Sequence, residues 1–282
     1  MTTTMLINRI KCSSILAKTG IALADYTINP FRGCGHGCLY CYAGKSKQAL
    51  KKNLPWGSYL DIKNGAAEIL DRELSALPPG KSIKVLLGSL TEPFQMPEEA
   101  HKTTGEILSV LSRHRIETVI LTRSPLILNY SHILREGQYT VYVTLNSENI
   151  RAFFEQGTPS LKDKAAILKE LPDNVRKTAY VSPFFPLLTD LDEILPHIEG
   201  VNAPVLIEVY NFLMGDNSRL FEKIPVNLRE GLADIFKDEA NYLSYIEKLG
   251  RELKNKLAGR DFKLFAPEFK KHWSESGSFY TS

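Results

Sequence analysis

The chain has few cysteines, and their positions are the most informative feature of the sequence. Only four of its 282 residues are cysteine, and none follows position 41. They are Cys12, Cys34, Cys38 and Cys41. A disulfide-stabilised scaffold of this length would spread its cysteines along the chain, so their distribution excludes that class of protein. The grouping of three thiols in one short segment instead indicates a metal site.

Long apolar runs, a signal peptide and blocks of like charge are also missing. No run reaches the roughly 20 apolar residues of a membrane span. The first five residues, 1–5, lack the basic and then apolar pattern of a secretory signal. We therefore expect a cytoplasmic protein without membrane contact. The net charge of +3 permits an anionic partner without requiring one.

Strand-like apolar runs alternate with helix-like stretches over most of the chain. The predicted helices cover 65–77, 97–114, 161–171 and 191–198. The six predicted strands are 26–30, 84–88, 117–121, 139–143, 177–181 and 205–209. Such alternation is typical of βαβ units in a parallel sheet, and six units fit an open (β/α)6 barrel of the α/β class.

The alternation ends at about residue 215. A helical stretch at 240–257 and a strand-like segment at 262–265 follow. We therefore divide the chain into a core barrel, 1–215, in which 1–25 lead in, and a C-terminal helical extension, 216–282, packed on the barrel.

The three close cysteines form a C-x3-C-x2-C array at Cys34, Cys38 and Cys41. Iron–sulfur clusters are held by thiolates, usually four. Here Cys12 is too far upstream to complete the array, so a cluster would keep one iron open, as catalytic metal sites do. The glycines at 33, 35 and 37 allow the loop to fold tightly, since glycine tolerates positive φ and close approach.

Three other interpretations of the loop stay open. The three cysteines with His36 have the ligand types of a zinc site. Cys38 and Cys41 have the C-x-x-C spacing of a redox pair, although that leaves Cys34 unexplained. Inert buried thiols are the third interpretation, and it is the one that we expect for Cys12.

The loop and its surroundings, 25–43, resemble the radical S-adenosylmethionine (SAM) superfamily, and more narrowly its spore photoproduct lyase-related branch. Later segments resemble that branch in the same order, and the resemblance covers roughly 12–215. These segments are 88–95, 121–124, 143–147, 155–160 and 181–186.

The resemblance implies a radical SAM enzyme. A [4Fe–4S] cluster on Cys34, Cys38 and Cys41 would bind SAM and cleave it reductively, and the 5′-deoxyadenosyl radical would take hydrogen from a substrate. A reductant such as flavodoxin or ferredoxin would supply the electron. We expect a nucleic acid or nucleotide as substrate. Two alternatives are radical modification of a small molecule or peptide, and a metal-bearing nucleic-acid-binding protein without catalysis.

The resemblance also implies which residues contact SAM. Polar groups after the second strand would meet its amino end, those after the fourth its ribose, and a lysine would replace the usual arginine at its carboxylate. Each also has a structural interpretation, such as starting a helix or ending a strand. The implied contacts are Tyr40, Ser89, Thr91, Glu92, Arg123, Thr144, Asn146, Ser147 and Lys164.

One departure from the branch concerns catalysis. The lyase has a hydrogen-donating cysteine after strand two. In this chain the corresponding residues, 87–90, include no cysteine. If a lyase-like reaction occurs, another group must quench the product radical. Tyr40 and Tyr42 are the catalytic candidates for that step.

Two basic runs support an anionic substrate, although solvated helix faces would look the same in the sequence. The first follows the cysteine loop and would lie where a substrate enters. Its members are Lys45, Lys47, Lys51 and Lys52. The second lies near the C-terminus and could extend the same surface. Its members are Arg251, Lys254, Lys256, Arg260, Lys263, Lys270 and Lys271.

Overall fold

The computed structural model describes residues 5–212 and 217–269. Within them the chain forms eleven strands. These are β1 (Leu6–Lys11), β2 (Ala17–Lys18), β3 (Tyr26–Ile28), β4 (Phe31–Arg32), β5 (Tyr59–Asn64), β6 (Lys84–Leu87), β7 (Glu117–Thr122), β8 (Tyr139–Leu145), β9 (Arg176–Phe184), β10 (Val205–Val209) and β11 (Phe262–Phe265).

The main sheet has eight strands in the order β11-β10-β9-β8-β7-β6-β3-β2. Seven of them run parallel, and only β2 is antiparallel to its neighbour. The order is linear, so the described sheet is open. All six predicted strands are present in it, and the expected open α/β architecture is confirmed.

Eleven α-helices connect or follow the strands in the described residues. They are α1 (Lys47–Lys52), α2 (Ala66–Ser75), α3 (Glu98–His101), α4 (Thr103–Arg113), α5 (Ser131–Leu134), α6 (Glu148–Phe154), α7 (Leu161–Glu170), α8 (Leu191–Ile194), α9 (Ser218–Lys223), α10 (Val226–Ile235) and α11 (Glu239–Lys256). Short 3-10 helices occupy Tyr42–Lys45, Pro125–Tyr130 and Leu195–Ile198.

Strand alternation separates a packed face of the sheet from an open one. In β8, Tyr139, Val141 and Val143 are buried in the main core with the helices. Thr140 and Tyr142 point to the other face and are only half-buried. The sheet therefore has a helix-covered face and a more accessible face, which we call the concave face.

The single helix predicted over 97–114 is wrong, because the chain breaks it in two. Lys102 adopts φ +54° between α3 and α4. The backbone N–H groups of Thr104 and Gly105 donate to the buried carboxylate of Glu98, at 2.8 and 2.9 Å. Glu98 thus satisfies donors that the first turn of α4 leaves without a helical partner.

A second, smaller sheet was not predicted. It has three strands in the order β1-β5-β4, and β1 pairs with β5 in parallel. In β1 the side chains are mostly exposed, so the sequence carries no strong apolar alternation there. The segment after residue 216 also contributes β11 to the main sheet, where it extends the parallel order beside β10. The division at 215/216 remains a prediction.

Candidate functional site

The predicted site residues follow successive strands of the parallel sheet, at their carboxyl ends. The cysteine loop comes after β3 and β4, Thr91 and Glu92 come after β6, Arg123 after β7 and Asn146 after β8. Because parallel strands end at the same edge, the topology brings these residues from distant parts of the sequence to one region.

Tight turns hold the cysteine loop. The N–H of Gly37 donates to the carbonyl of Cys34 at 3.2 Å, and that of Cys41 donates to the carbonyl of Cys38 at 3.1 Å. Gly33 and Gly37 have φ of +88° and +57°, so the expectation that glycine permits this fold is met at those two positions. Gly35 lacks a positive φ, and its N–H donates to Oε1 of Gln95 at 2.9 Å.

The three thiols are free and close enough to influence one another. Burial raises the pKa of Cys34 and of Cys41 to about 11 and that of Cys38 to about 12, and a neighbouring thiol adds to each increase. Among the described residues, no group of three His, Cys, Asp or Glu side chains is arranged to hold a metal ion. The lack of such a group in the described residues bears equally on the iron–sulfur interpretation and on the zinc interpretation.

The chemistry of the loop nevertheless fits an iron–sulfur cluster. Its only sulfur donors are three thiols, which are the ligands that such clusters select. Arg123 points Nη1 at Sγ of Cys38 at 3.6 Å, so a cation already faces the group that must become a thiolate. Burial, together with the charge of Arg123, lowers the pKa of His36 to about 3, so this imidazole is neutral.

The backbone of Gly157 packs closely against the cysteine loop. A Cβ added at Gly157 would lie 2.7 Å from the carbonyl oxygen of His36 and 3.0 Å from that of Gly35. We therefore expect Gly157→Ala to displace the loop and to lower the iron retained after anaerobic reconstitution several-fold, as measured by iron analysis. Gly20→Ala is the matched control, because no described atom lies within 4 Å of its added Cβ. Equal iron content in the two variants would contradict this role.

A buried ionic network lies beside the loop, centred on Glu155. Its Oε1 accepts from Asn146 Nδ2 at 2.8 Å and lies 3.0 Å from Arg123 Nη1, and it also accepts from the Tyr40 hydroxyl. Its Oε2 lies 3.0 Å from Lys164 Nζ. Glu155 and Lys164 are both fully buried.

Two cations therefore surround one carboxylate. Burial alone would raise the pKa of Glu155, but the charges of Arg123 and Lys164 hold that pKa well below its usual range. The carboxylate is ionised, and the set carries an excess positive charge next to Cys38. An excess of positive charge at this place favours thiolates and other anionic groups.

Glu155 was not predicted as a site residue. It lies in the 155–160 segment on which the resemblance rested, directly after the helix α6. A carboxylate that follows such a helix is most often solvated, and only the fold brings it to Arg123 and Lys164. Those two residues, which the resemblance assigned to SAM, make their described ionic contacts with Glu155.

Glu92, Ser89 and Ser147 make structural hydrogen bonds. Glu92 joins β6 to β7, because its carboxylate accepts from Thr122 Oγ1 at 2.6 Å and from the N–H of Arg123 at 2.9 Å. Ser89 Oγ is 2.6 Å from Thr27 Oγ1, across the β3–β6 pair. Ser147 Oγ accepts from the N–H of Asp190 at 3.2 Å and so joins two loops.

Two other predicted residues have buried atoms without a partner. Thr91 Oγ1 and Asn146 Oδ1 have no hydrogen-bond partner in the described ranges, 5–212 and 217–269. Thr144 is also buried, at the end of β8. Buried polar atoms without partners are costly, and they are typical of positions where a ligand supplies the missing bond. They fit a polar cofactor such as SAM at this edge of the sheet.

Tyr40 and Tyr42 are placed differently. The Tyr40 hydroxyl accepts from Arg123 Nη1 at 3.0 Å, and its ring packs 5.5 Å from Phe185 in an aromatic cluster. Tyr42 is half-exposed, and its hydroxyl donates to the carbonyl of Ser89. Only Tyr42 is therefore open to a substrate in the described structure.

Solved structures with a similar fold include spore photoproduct lyase. A spore photoproduct lyase mutant superposes with a TM-score of 0.67 at 12% identity, over 91% of this chain and 81% of that one. The chain has the fold of spore photoproduct lyase. Spore photoproduct lyase with bound AdoMet and dinucleoside spore photoproduct has a TM-score of 0.64 at 11% identity, over 92% of this chain and 81% of that one.

A more distant similarity links the fold to a peptide-binding enzyme. Streptococcus suis SuiB bound to precursor peptide SuiA has a TM-score of 0.51 at 14% identity, and the match covers 93% of this chain and 49% of SuiB. At such identities the likeness concerns the fold alone. No protein-family model matches the sequence.

Sequence relatives are found in archaea and bacteria. An uncharacterized protein of Methanocaldococcus jannaschii is 27% identical over 256 residues, which are 88% of this chain and 93% of the relative. An uncharacterized protein of Mycobacterium tuberculosis is 27% identical over 212 residues, or 70% of this chain and 62% of its own length. In the described part of the chain, no helix is both long and apolar enough for a membrane crossing.

Proposed function

We propose that the protein is a radical SAM enzyme that acts on a nucleic acid or nucleotide. The observation that carries this proposal is the position of three free thiols on one tight loop, at the carboxyl ends of strands in a radical SAM fold. When bound by Cys34, Cys38 and Cys41, a [4Fe–4S] cluster would supply the electron for SAM cleavage.

The chain's own residues would bind and orient the cofactors. Arg123 stabilises a thiolate at Cys38, while Glu155 keeps that guanidinium in place. Thr91 Oγ1 and Asn146 Oδ1 offer hydrogen bonds to SAM, because both are buried and lack partners in the described structure. The aromatic rings around Tyr40 exclude water from one side of the loop.

The first basic run supports an anionic substrate, with one correction. Lys45, Lys47 and Lys51 are exposed close to the cysteine loop. Lys52 is instead bound to the buried carboxylate of Asp61, at 2.7 Å, and stabilises the smaller sheet. Lys47 and Lys51 are therefore the members of this run that we expect to meet phosphates near the site.

Two cations of the second basic run lie away from this surface. Arg260 Nη2 donates to the carbonyl of Ile198 at 3.1 Å, and both residues lie at the amino ends of β10 and β11. Lys256 is paired with Asp192. The strands thus separate these two cations from the cysteine loop, while Lys270 and Lys271 lie outside the described residues.

The corrected surface predicts how binding depends on salt. Phosphate contacts release counterions, so affinity for single-stranded DNA falls with salt at a log–log slope of about −0.7 per contact. Lys47→Glu with Lys51→Glu is expected to weaken binding at least tenfold in low salt and to flatten the slope. Lys248→Glu with Lys254→Glu is the charge-matched control on α11. Equal losses in both double variants, measured by fluorescence anisotropy, would contradict binding at this surface.

Peptide modification is a second candidate function. It is favoured by the likeness to SuiB, which was solved with its precursor peptide. Anaerobic incubation with SAM, a reductant and either short nucleic acids or peptides separates the two candidates. The proposal expects substrate-dependent formation of 5′-deoxyadenosine with the nucleic acids. Stimulation by peptides alone would favour the second candidate.

A further inference from the structure

An acidic residue, Glu208, lies on the concave face of the main sheet. Alternation in β8, β9 and β10 places Tyr142, Tyr180, Ser182 and Glu208 on that face, and all four are half-buried. Their neighbours in the same strands, such as Val181 and Ile207, pack in the main core. These four polar side chains therefore line the open interior, away from the helices.

Two hydroxyl groups orient the carboxylate of Glu208. Ser182 Oγ donates to its Oε2 at 2.7 Å, and the Tyr180 hydroxyl donates to the same atom. Within residues 5–212 and 217–269, Oε1 of Glu208 receives no hydrogen bond. The ring of Tyr142 lies 5.9 Å from that of Tyr180. The group thus presents one free acceptor oxygen beside two aromatic rings.

This group lies next to the cysteine loop. Asn146 Nδ2, which donates to Glu155 beside the loop, also donates to the carbonyl of Ser182 at 3.4 Å. The ring of Tyr210, two residues after Glu208, lies 6.3 Å from the ring of Tyr40 in the loop. A molecule held by Glu208 would therefore lie beside the predicted cluster and SAM site.

We propose that Glu208 binds an amino-bearing nucleobase of the substrate, such as cytosine, by accepting a hydrogen bond from its exocyclic nitrogen. The inference rests on the proposed function and names the part of the substrate that enters the concave face. Carboxylates accept a hydrogen bond from the amino group of cytosine, and aromatic rings stack on bases. A carboxylate repels phosphate, so the backbone would stay outside, at Lys47 and Lys51.

The variant Glu208→Gln tests this role with little change of shape. The hydroxyls of Tyr180 and Ser182 would fix the amide oxygen where Oε2 stands. The amide NH2 group would then replace the free oxygen and would face the amino group of the base, donor against donor. If Glu208 merely held those two hydroxyls, this variant would lower the stability of the protein without changing any base preference.

The experiment measures binding of a labelled short single-stranded DNA whose central base is cytosine or uracil, which stacks alike but has no exocyclic amino group. The wild-type protein is expected to prefer cytosine about tenfold, which is the lower part of the range for one good base contact. Glu208→Gln is expected to remove this preference and to leave the salt slope unchanged. Glu170→Gln, an exposed glutamate at the end of α7, is the matched control.

Other outcomes would overturn the inference. An unchanged cytosine preference in Glu208→Gln would exclude the contact, and so would Glu208-dependent binding of a lysine peptide in place of DNA. If Glu208→Gln does not fold, Tyr180→Phe is expected to reduce the preference, because it removes one of the orienting hydroxyls. Iron content and visible spectrum are measured in parallel. If the wild type holds no iron and lacks the visible spectrum of a cluster, the proposed function is contradicted. The binding result then tests the role of Glu208 on its own.

Discussion

Replacing Cys34, Cys38 or Cys41 with alanine is expected to abolish cluster assembly and, with it, SAM cleavage. Each substitution removes one of three thiols on the same loop, and no other described cysteine is near enough to replace it. A cluster with only two protein thiolates is no longer held at this place. Anaerobic reconstitution followed by iron and sulfide analysis measures the loss directly, and it needs no substrate.

Cys12→Ala provides the matched control for these variants. The thiol of Cys12 lies beside the carbonyl of Asn64, at 3.7 Å, at the end of the smaller sheet. We expect this variant to bind iron and to cleave SAM as the wild type does. Normal iron content in Cys38→Ala, or its loss in Cys12→Ala, would contradict the assignment of the ligands.

The second large effect is expected at Glu155. Glu155→Gln leaves the buried Lys164 and the largely buried Arg123 as two cations without their shared carboxylate. Breaking a buried ion pair on one side typically costs about 3–5 kcal/mol in the free energy of unfolding. Urea unfolding monitored by circular dichroism measures this loss. It should occur in the protein without iron, because the network is complete there.

A double-mutant cycle separates the network from a general packing effect. Lys164→Met removes one of the two cations and keeps the Glu155–Arg123 contact. We expect the double variant Glu155→Gln with Lys164→Met to be more stable than Glu155→Gln alone, since it has one unpaired buried charge fewer. Strict additivity, or a loss below about 1 kcal/mol in Glu155→Gln, would contradict the role of the network.

The strands of the main sheet could be predicted because buried parallel strands appear in the sequence as short apolar runs. Segments such as 84–88 and 205–209 match the observed β6 and β10 closely. The smaller sheet could not be found in this way, since β1 is mostly exposed and β4 has only two residues. The break at Lys102 was missed for another reason: it depends on Glu98 capping α4 from the preceding helix.

The candidate site was predictable only in part. The cysteine spacing identified the loop, and the resemblance identified Arg123, Asn146 and Lys164 as polar residues of one region. Which charges pair there depends on the three-dimensional fold, because Glu155 reaches Arg123 across 32 positions of sequence. The same is true of Glu208, whose partners Tyr180 and Ser182 are on a neighbouring strand.

The most direct test of the account is the conversion of SAM by the reconstituted wild-type protein. The protein is loaded anaerobically with iron and sulfide, reduced, and incubated with SAM, and 5′-deoxyadenosine is quantified by chromatography. The account predicts a brown protein with close to four irons per chain, as one [4Fe–4S] cluster requires, and release of 5′-deoxyadenosine that depends on Cys34, Cys38 and Cys41. A colourless protein that retains zinc and releases no 5′-deoxyadenosine would contradict it.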